Sequence, residues 1–420
     1  MAEQYWIETL GCPKNDVDSD KLIGTLDADG LARAERPEDA DLVVVNTCAF
    51  IESARQESID TVLALRDVAA DARLVVTGCM AERYGDELAD ALTEVDTVAG
   101  FGVPVTLGKK PSSPAVPEFD LLNLPRPASE RPWAYVKVAE GCDRNCGFCA
   151  IPSFRGPQRS RTHESILAEV DQLGAKEIVL VAQDLASFGR DQGQGERTIA
   201  TLVEQVSGAV DRVRLLYLYP SDLTDALVDS ILSTGVPYFD LSLQHVSRPL
   251  LRRMRRWGDG QRFLDRIEHI RGLDPTAAFR SNFIVGYPGE TEQDHDELLD
   301  FVEAAQLDWC GFFSYSREDG TYAADLDGVV DPSLVTERLR ELTELQDGIT
   351  ARRRDELIGE TVSVLVDDVG IGRTHREAPE IDGVVHVCND LVVGDFHTVE
   401  IAGALGPDLV AAGVSAQDIE

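Results

Sequence analysis

The chain predicts an α/β protein of three units: an N-terminal parallel α/β unit (1–116), a central partial (β/α)6 barrel (128–357) and a small C-terminal antiparallel β-barrel (358–420). Three observations predict this. Apolar runs alternate with helical patterns in the first unit, which implies parallel strands. Six strand–helix repeats then fill about 220 residues, too few for a closed eight-fold barrel but of the same design. After Gly359 the pattern changes to short β runs separated by glycines and acidic turns, which fits a small antiparallel barrel.

In the first unit, Gln4–Leu10, Leu42–Asn46 and Arg73–Thr77 read as short strands, and helical patterns follow at about Ala49–Arg66 and Ala81–Leu92. Each strand runs into a cysteine: Cys12, Cys48 and Cys79. Open α/β sheets bind ligands beyond the carboxyl ends of their strands, so three cysteines at three such ends can converge. The plainer account is three small buried side chains packing beneath a sheet. A proline-rich stretch from Pro104 to Pro132, with Pro111, Pro114, Pro117, Pro125 and Pro127, marks a linker.

The barrel strands are placed at Ala134–Ala139, Glu177–Ala182, Val213–Tyr219, Tyr238–Leu243, Phe279–Val285 and Trp309–Tyr315, with helices such as Glu164–Leu173 and Thr291–Ala305 between them. A charged helix over about Leu334–Glu356 covers the barrel. The last unit has β runs at Thr361–Val366, Val384–Cys388 and Thr398–Ile401.

Composition narrows the function classes. A hydrophobic content of 43% is ordinary for a globular protein. There is no apolar run of roughly 20 residues for a membrane helix, and the N-terminus lacks the pattern of a signal peptide. The expectation is therefore a cytoplasmic protein, without membrane contact and monomeric. In that compartment eight cysteines point to metal or redox chemistry rather than disulfides. The net charge of −36 disfavours a protein that tracks a nucleic-acid backbone and suits a basic protein partner. An acidic surface that merely aids solubility is the competing account.

The chemistry is carried by Glu140-Gly141-Cys142-Asp143-Arg144-Asn145-Cys146-Gly147-Phe148-Cys149. Its C-x3-C-x2-C spacing puts three thiolates in one loop just after the first barrel strand. Iron–sulfur clusters ordinarily take four cysteines, so three leave one iron open to a further ligand. A zinc knuckle is the alternative, but no C-x2-C or H-x3-5-H partner accompanies the loop.

This loop, with Phe148 before its last cysteine, resembles the radical SAM (S-adenosylmethionine) superfamily. The continuation Ala150-Ile151-Pro152-Ser153-Phe154-Arg155-Gly156-Pro157-Gln158-Arg159-Ser160-Arg161 resembles the methylthiotransferases within it. So do the contexts Gly11-Cys12-Pro13-Lys14-Asn15, Asn46-Thr47-Cys48 and Thr77-Gly78-Cys79. The resemblance covers essentially the whole chain, including a C-terminal unit similar to the TRAM domain. Of the family's two main branches, that acting on a ribosomal protein is the more similar. Its marks are Asp16-Val17-Asp18-Ser19, Ala182-Gln183-Asp184, Leu216-Tyr217-Leu218-Tyr219-Pro220, Leu243-Gln244-His245-Val246-Ser247 and Ala378-Pro379-Glu380-Ile381-Asp382-Gly383. The chain departs from that pattern at Ala186-Ser187-Phe188-Gly189. The last unit holds only Arg373 and Arg376 as fixed positive charges, where a grip on tRNA calls for a basic one.

The resemblance implies two 4Fe-4S clusters and SAM. One cluster falls to Cys142, Cys146 and Cys149, and an auxiliary one to Cys12, Cys48 and Cys79. It implies methylthiolation of the β-carbon of an aspartate in small-subunit ribosomal protein twelve, with electrons from a flavodoxin-like or ferredoxin-like donor. SAM contacts are expected from Phe148 in the loop, from Gln183 and Asp184 at the second strand end, and from Gly286 after the fifth strand. No catalytic residue is expected beyond the cluster ligands. A core aromatic, turn-forming polar residues and a plain strand-to-helix turn are the corresponding structural accounts. Arg248, Arg252, Arg253, Arg255 and Arg256 read as a basic helix that either binds an anionic group (a substrate or SAM carboxylate, or ribosomal RNA) or presents a solvated face; Arg155, Arg159 and Arg161 carry the same two readings. Cys310 and Cys388 read as structural. The remaining alternatives are a tRNA adenosine methylthiotransferase and a non-catalytic iron–sulfur carrier, the latter having no need of such a barrel.

Overall fold

The computed structural model describes residues 3–107, 120–193 and 195–414. Pro111, Pro114, Pro117 and the boundary at residue 116 lie outside the described residues.

Five parallel strands form the first sheet, in the order Ala32–Arg33, Gln4–Thr9, Leu42–Thr47, Arg73–Gly78, Thr97–Val98. Leu42–Thr47 is buried along its whole length. Burial on both faces is why it reads as an unbroken run rather than an alternation. The register sets Thr9 beside Asn46 and Asn46 beside Thr77. The three strands therefore stop level, and the chain leaves all of them at one edge.

The helix Pro13–Ala28 has no counterpart in the expected elements. The reason is its buried side, which mixes Lys14, Asn15, Asp18, Ser19 and Lys21 with Val17, Leu22 and Leu26. Hydrophobic periodicity cannot register a helix whose hidden face is polar. Those polar groups meet the barrel: Asp18 pairs with Lys137, and Lys21 pairs with Glu169 at 3.3 Å. Lys21 also donates to the carbonyls of Leu122 and Leu124, each at 2.9 Å.

The central unit has six parallel strands: Trp133–Lys137, Glu177–Val181, Arg212–Leu215, Tyr238–Gln244, Ala278–Val285 and Trp309–Ser314. They form two three-stranded sheets joined by a bridge between Leu218 and Leu241. Among the described residues no ladder joins the first strand to the last, so the barrel is open on one side. Its side chains alternate in direction. Ala134 and Val136 pack outward against the helices, whereas Trp133 and Tyr135 point inward with Val181, Leu216, Tyr238 and Trp309.

The mouth at the amino ends of these strands is stoppered by the segment 373–382. Tyr135 Oη donates to the Pro379 carbonyl at 2.8 Å, Tyr238 Oη to Asp382 at 2.6 Å, and Trp309 Nε1 to the Arg376 carbonyl at 2.7 Å. Glu177, fully buried, holds Arg214 at 2.8 Å and Arg373 at 3.2 Å. The helix Pro332–Asp355 adds Arg354–Glu377 at 2.6 Å.

The last unit is a closed barrel in the order Thr361–Asp368, Ile371–Arg373, Val385–His386, Asp408–Ala411, Phe396–Leu405. Its pairings are antiparallel except one, Val385–His386 with Asp408–Ala411, which is parallel. The expected barrel thus differs at one seam, where two strands distant in sequence close the cylinder.

Candidate metal centre

Cys12 caps the helix Pro13–Ala28, Cys48 follows the strand Leu42–Thr47, and Cys79 begins the helix Cys79–Ala91. Two of the three thiols therefore sit at helix N-termini. Gly11 lies against Cys48: a β-carbon there would stand 3.0 Å from its sulfur. Asn15 ties the three strand ends together. Its amide donates to the Leu10 carbonyl at 2.8 Å and the Thr47 carbonyl at 3.1 Å, and its oxygen lies 3.7 Å from Cys79 Sγ. Gly78 has a φ of 89° and runs against Thr47, whose carbonyl would meet an added β-carbon at 2.6 Å. Only glycine fits that turn, and the turn sets Cys79. Burial pushes the Cys48 thiol up to about 11, with the neighbouring Cys79 and Cys12 adding to the shift; burial raises Cys79 as well.

The second triad lies in the loop between the short strand Ala139–Glu140 and the helix Ile151–Arg155. Gly141 (φ 78°) passes so close to Gly156 and Pro157 that a β-carbon would meet the Gly156 carbonyl at 2.6 Å. The Cys142 amide donates to that same carbonyl at 3.1 Å. Gly147 donates to the Met254 carbonyl at 2.8 Å and accepts from the Ala323 amide at 2.7 Å, pinning the loop to the far side of the barrel. Burial raises Cys142 to about 11 and Cys149 to about 12, and the neighbouring sulfurs contribute. Two donors face this triad's sulfurs: the backbone amide of Arg144 at 3.4 Å from Cys142 Sγ, and the Arg256 guanidinium at 3.2 Å from Cys146 Sγ.

The two triads are neighbours. Arg155 donates to Cys79 Sγ at 2.9 Å and to Glu140, two residues before Cys142, at 2.9 Å. Among the described residues no group of three or more His, Cys, Asp or Glu closes on a single point as for one metal ion. Thiolates of a four-iron cluster each bond a different iron, so they surround the cluster rather than meet at one atom.

The expected SAM contacts fall at the same end of the barrel. Gln183 donates to Glu140 at 2.6 Å, and Asp184 accepts from Arg144 at 2.6 Å and from Ser187 at 2.8 Å. Each keeps one buried oxygen without a partner, Gln183 Oε1 and Asp184 Oδ1. Unpaired buried oxygens are costly and call for a donor. A ligand bearing an ammonium group beside the loop satisfies that call, so the residues fit SAM as well as a cluster. Phe148 packs against the barrel core. Gly286 (φ 80°) donates to Glu290 at 2.6 Å, and the space a β-carbon would take is filled by Val335 at 2.5 Å. What the structure shows for Gly286 is close packing of the last helix.

The expected basic helix runs only over Arg248–Arg253; Arg255, with a φ of 55°, and Arg256 lie beyond its end, and the arginines separate into unlike members. Arg256 reaches Cys146, Arg253 donates to the Pro288 carbonyl at 2.8 Å, and Arg255 stacks over Tyr322 at 3.7 Å. Arg155 and Arg161 are buried, whereas Arg159 is an exposed partner of Asp120. Asn15, Glu140 and Arg144 were not singled out by sequence. Their only sign was position beside the cysteines.

Residues 4–100 match the uncharacterized protein family UPF0004, residues 136–302 the radical SAM superfamily, and residues 358–414 the TRAM domain. The chain is 41% identical to the ribosomal protein uS12 methylthiotransferase RimO of Kineococcus radiotolerans, over 96% of each chain. It is 42% identical to the protein of that name from Saccharopolyspora erythraea, over 97% of this chain and 94% of the other. For that from Moorella thermoacetica the identity is 42%, over 91% and 92%. Among solved structures, the radical SAM methyltransferase TsrM from Kitasatospora setae, with cobalamin and a [4Fe-4S] cluster bound, aligns over 94% of this chain and 84% of its own (TM-score 0.50, 13% identity), a likeness of fold alone.

Proposed function

The chain belongs to the RimO-type radical SAM methylthiotransferases, and from that membership we infer that it methylthiolates ribosomal protein uS12, at the β-carbon of an aspartate. The observation that carries this reading at the residue level is the meeting of two cysteine triads at one end of the molecule, linked through Arg155 and Glu140. A carrier of a single cluster has no use for two triads bridged in this way. Cys142, Cys146 and Cys149 hold the radical SAM cluster, and Cys12, Cys48 and Cys79 hold the auxiliary one. With both clusters and SAM bound, the site supplies reductive SAM cleavage, hydrogen abstraction from an unactivated carbon, and a methylated sulfur.

The chain's own residues place and shield these groups. Gln183 Oε1 and Asp184 Oδ1 would accept from the SAM ammonium, which answers their lack of partners. Phe148 would be one of the residues that hold the adenine of SAM, and Gly286 shapes the turn after the fifth strand. Arg144 anchors the loop to Asp184 and Asp222. The chain works as three units, 1–116, 128–357 and 358–420; the separate family matches support that division. The net charge of −36 supports a basic ribosomal protein as partner rather than tRNA. A flavodoxin-like or ferredoxin-like donor supplies electrons to a monomeric, cytoplasmic enzyme. Among the described residues no helix is long and apolar enough to cross a membrane.

The test is an anaerobic reaction of the reconstituted chain with SAM and a reductant, offered uS12 and bulk tRNA in parallel. Mass spectrometry should find a methylthio group on one aspartate of uS12 and none on tRNA. A methylthio group on tRNA alone overturns the choice of substrate.

A further inference from the structure

Arg155 lies between the two triads with its side chain only 3% exposed. One nitrogen donates to Cys79 Sγ and to Asn15 Oδ1, both at 2.9 Å. Another donates to the two oxygens of Glu140 at 2.9 and 3.0 Å and to Asp18 at 3.4 Å. The ring of Phe101 covers the guanidinium at 4.5 Å. Glu140 is itself fixed, by Lys137 at 2.7 Å and Gln183 at 2.6 Å. The guanidinium is therefore oriented from the side of one triad and directed at a sulfur of the other.

A purely structural arginine needs only its carboxylates. Here half of the fork is given to a thiol sulfur and the amide that touches it. Hydrogen bonds to ligand sulfurs and local charge are among the factors that set a cluster's reduction potential. Screening is weak at this depth, so a single cation counts for much.

We propose that Arg155 is a positioning residue that raises the reduction potential of the auxiliary cluster by donating to the Cys79 sulfur, with Glu140 fixing its direction. This rests on the assignment of Cys12, Cys48 and Cys79 to a cluster. Reduction adds negative charge beside the guanidinium, so the cation stabilises the reduced form. The Glu140 carboxylate, lying beyond it, opposes reduction more weakly.

The test uses the full chain carrying Cys142→Ala, Cys146→Ala and Cys149→Ala, reconstituted anaerobically, so that any remaining cluster signal belongs to the auxiliary site. Circular dichroism checks that this background is folded. Iron content and the midpoint potential, from a mediated dithionite titration followed by electron paramagnetic resonance, are then read with Arg155→Gln, Arg155→Lys or Glu140→Gln added. Arg155→Gln should make reduction at least tenfold less favourable, a shift of 59 mV to more negative potential for a one-electron couple. Arg155→Lys should keep more than half of the original stabilisation, and Glu140→Gln should move the potential to more positive values. A folded background that binds no iron overturns the auxiliary-cluster assignment. Iron bound normally with the potential unmoved by Arg155→Gln overturns this inference and leaves the assignment standing. If Arg155→Gln binds no iron, Arg155→Lys decides: its lesser hold on the sulfur should move the potential to more negative values, and an unmoved or more positive potential overturns the inference.

Discussion

Cys48 and Cys142 stand in different triads, and their loss should separate two activities. Cys48→Ala should lower bound iron from about eight to about four per chain, as expected for one of two four-iron clusters. It should still cleave SAM to 5′-deoxyadenosine but form no methylthio product. Cys142→Ala should lose a similar share of iron and cleave no SAM. Iron analysis and product chromatography distinguish the two. Gly78→Ala tests the same triad through the backbone: its φ of 89° and the Thr47 carbonyl at 2.6 Å leave no room for a methyl group. It should destabilise the fold by about 2 kcal/mol or more in urea unfolding and deplete the auxiliary iron first. His245 gives a pH signature away from the cysteines. It is fully buried near Asp294 and Arg338, and burial lowers its pKa to about 4, the Arg338 cation adding to the effect and Asp294 opposing it. The folded state thus holds fewer protons than the unfolded one between about pH 4 and 6.5, so stability falls as pH drops through that window. The loss amounts to about 3 kcal/mol from this group. His245→Asn should flatten the fall in the urea midpoint between pH 6.5 and 4.

At the scale of elements, the first sheet is latched to the barrel by buried charge. Glu318, 2% exposed, accepts from Arg55 at 2.5 Å and Arg83 at 2.8 Å, and those residues belong to the two helices that flank the Cys48 and Cys79 strand ends. Arg83 also donates to the Ala49 carbonyl at 2.9 Å, directly after Cys48. Removing one partner of a buried ion pair costs about 3–5 kcal/mol, because the remaining charge is left uncompensated. Glu318→Gln should show a loss of that order, read as a lower urea midpoint. Glu318→Asp should recover part of it. The helix Pro13–Ala28 shows why such an element escapes periodicity: its Asp18 and Lys21 are core residues only because the barrel supplies Lys137 and Glu169.

For the molecule as a whole, the stopper at the barrel's lower mouth makes the last unit a structural part of the core. Glu377 and Arg373 are buried against Arg354 and Glu177, residues of the last helix and of a barrel strand. A chain ending at residue 357 would leave Trp309 and Tyr238 facing water, Arg354 without Glu377, and Glu177 with Arg214 but without Arg373. Such a truncation should unfold at lower temperature and bind 1-anilinonaphthalene-8-sulfonate. A truncated chain as stable as the full one in calorimetry would show that the last unit is only appended.

The parallel sheets and the six-stranded open barrel were legible in the sequence alone, as were the six cysteines offered as candidate ligands. These rest on local signals: apolar runs at strand length, strand ends followed by cysteine, and a fixed C-x3-C-x2-C spacing. Visible only in the folded chain are the Arg155 bridge from Cys79 to Glu140 beside the second triad, the unpaired oxygens of Gln183 and Asp184, and the stopper that 373–382 makes in the barrel. It also divided the arginines, burying Arg155 against Cys79 while leaving Arg159 on the surface. The physical reason is that a charged side chain carries no local mark of its partner. Whether it lies in water or in a buried ion pair depends on groups more than a hundred residues away, such as the 137 that separate Arg155 from Asp18.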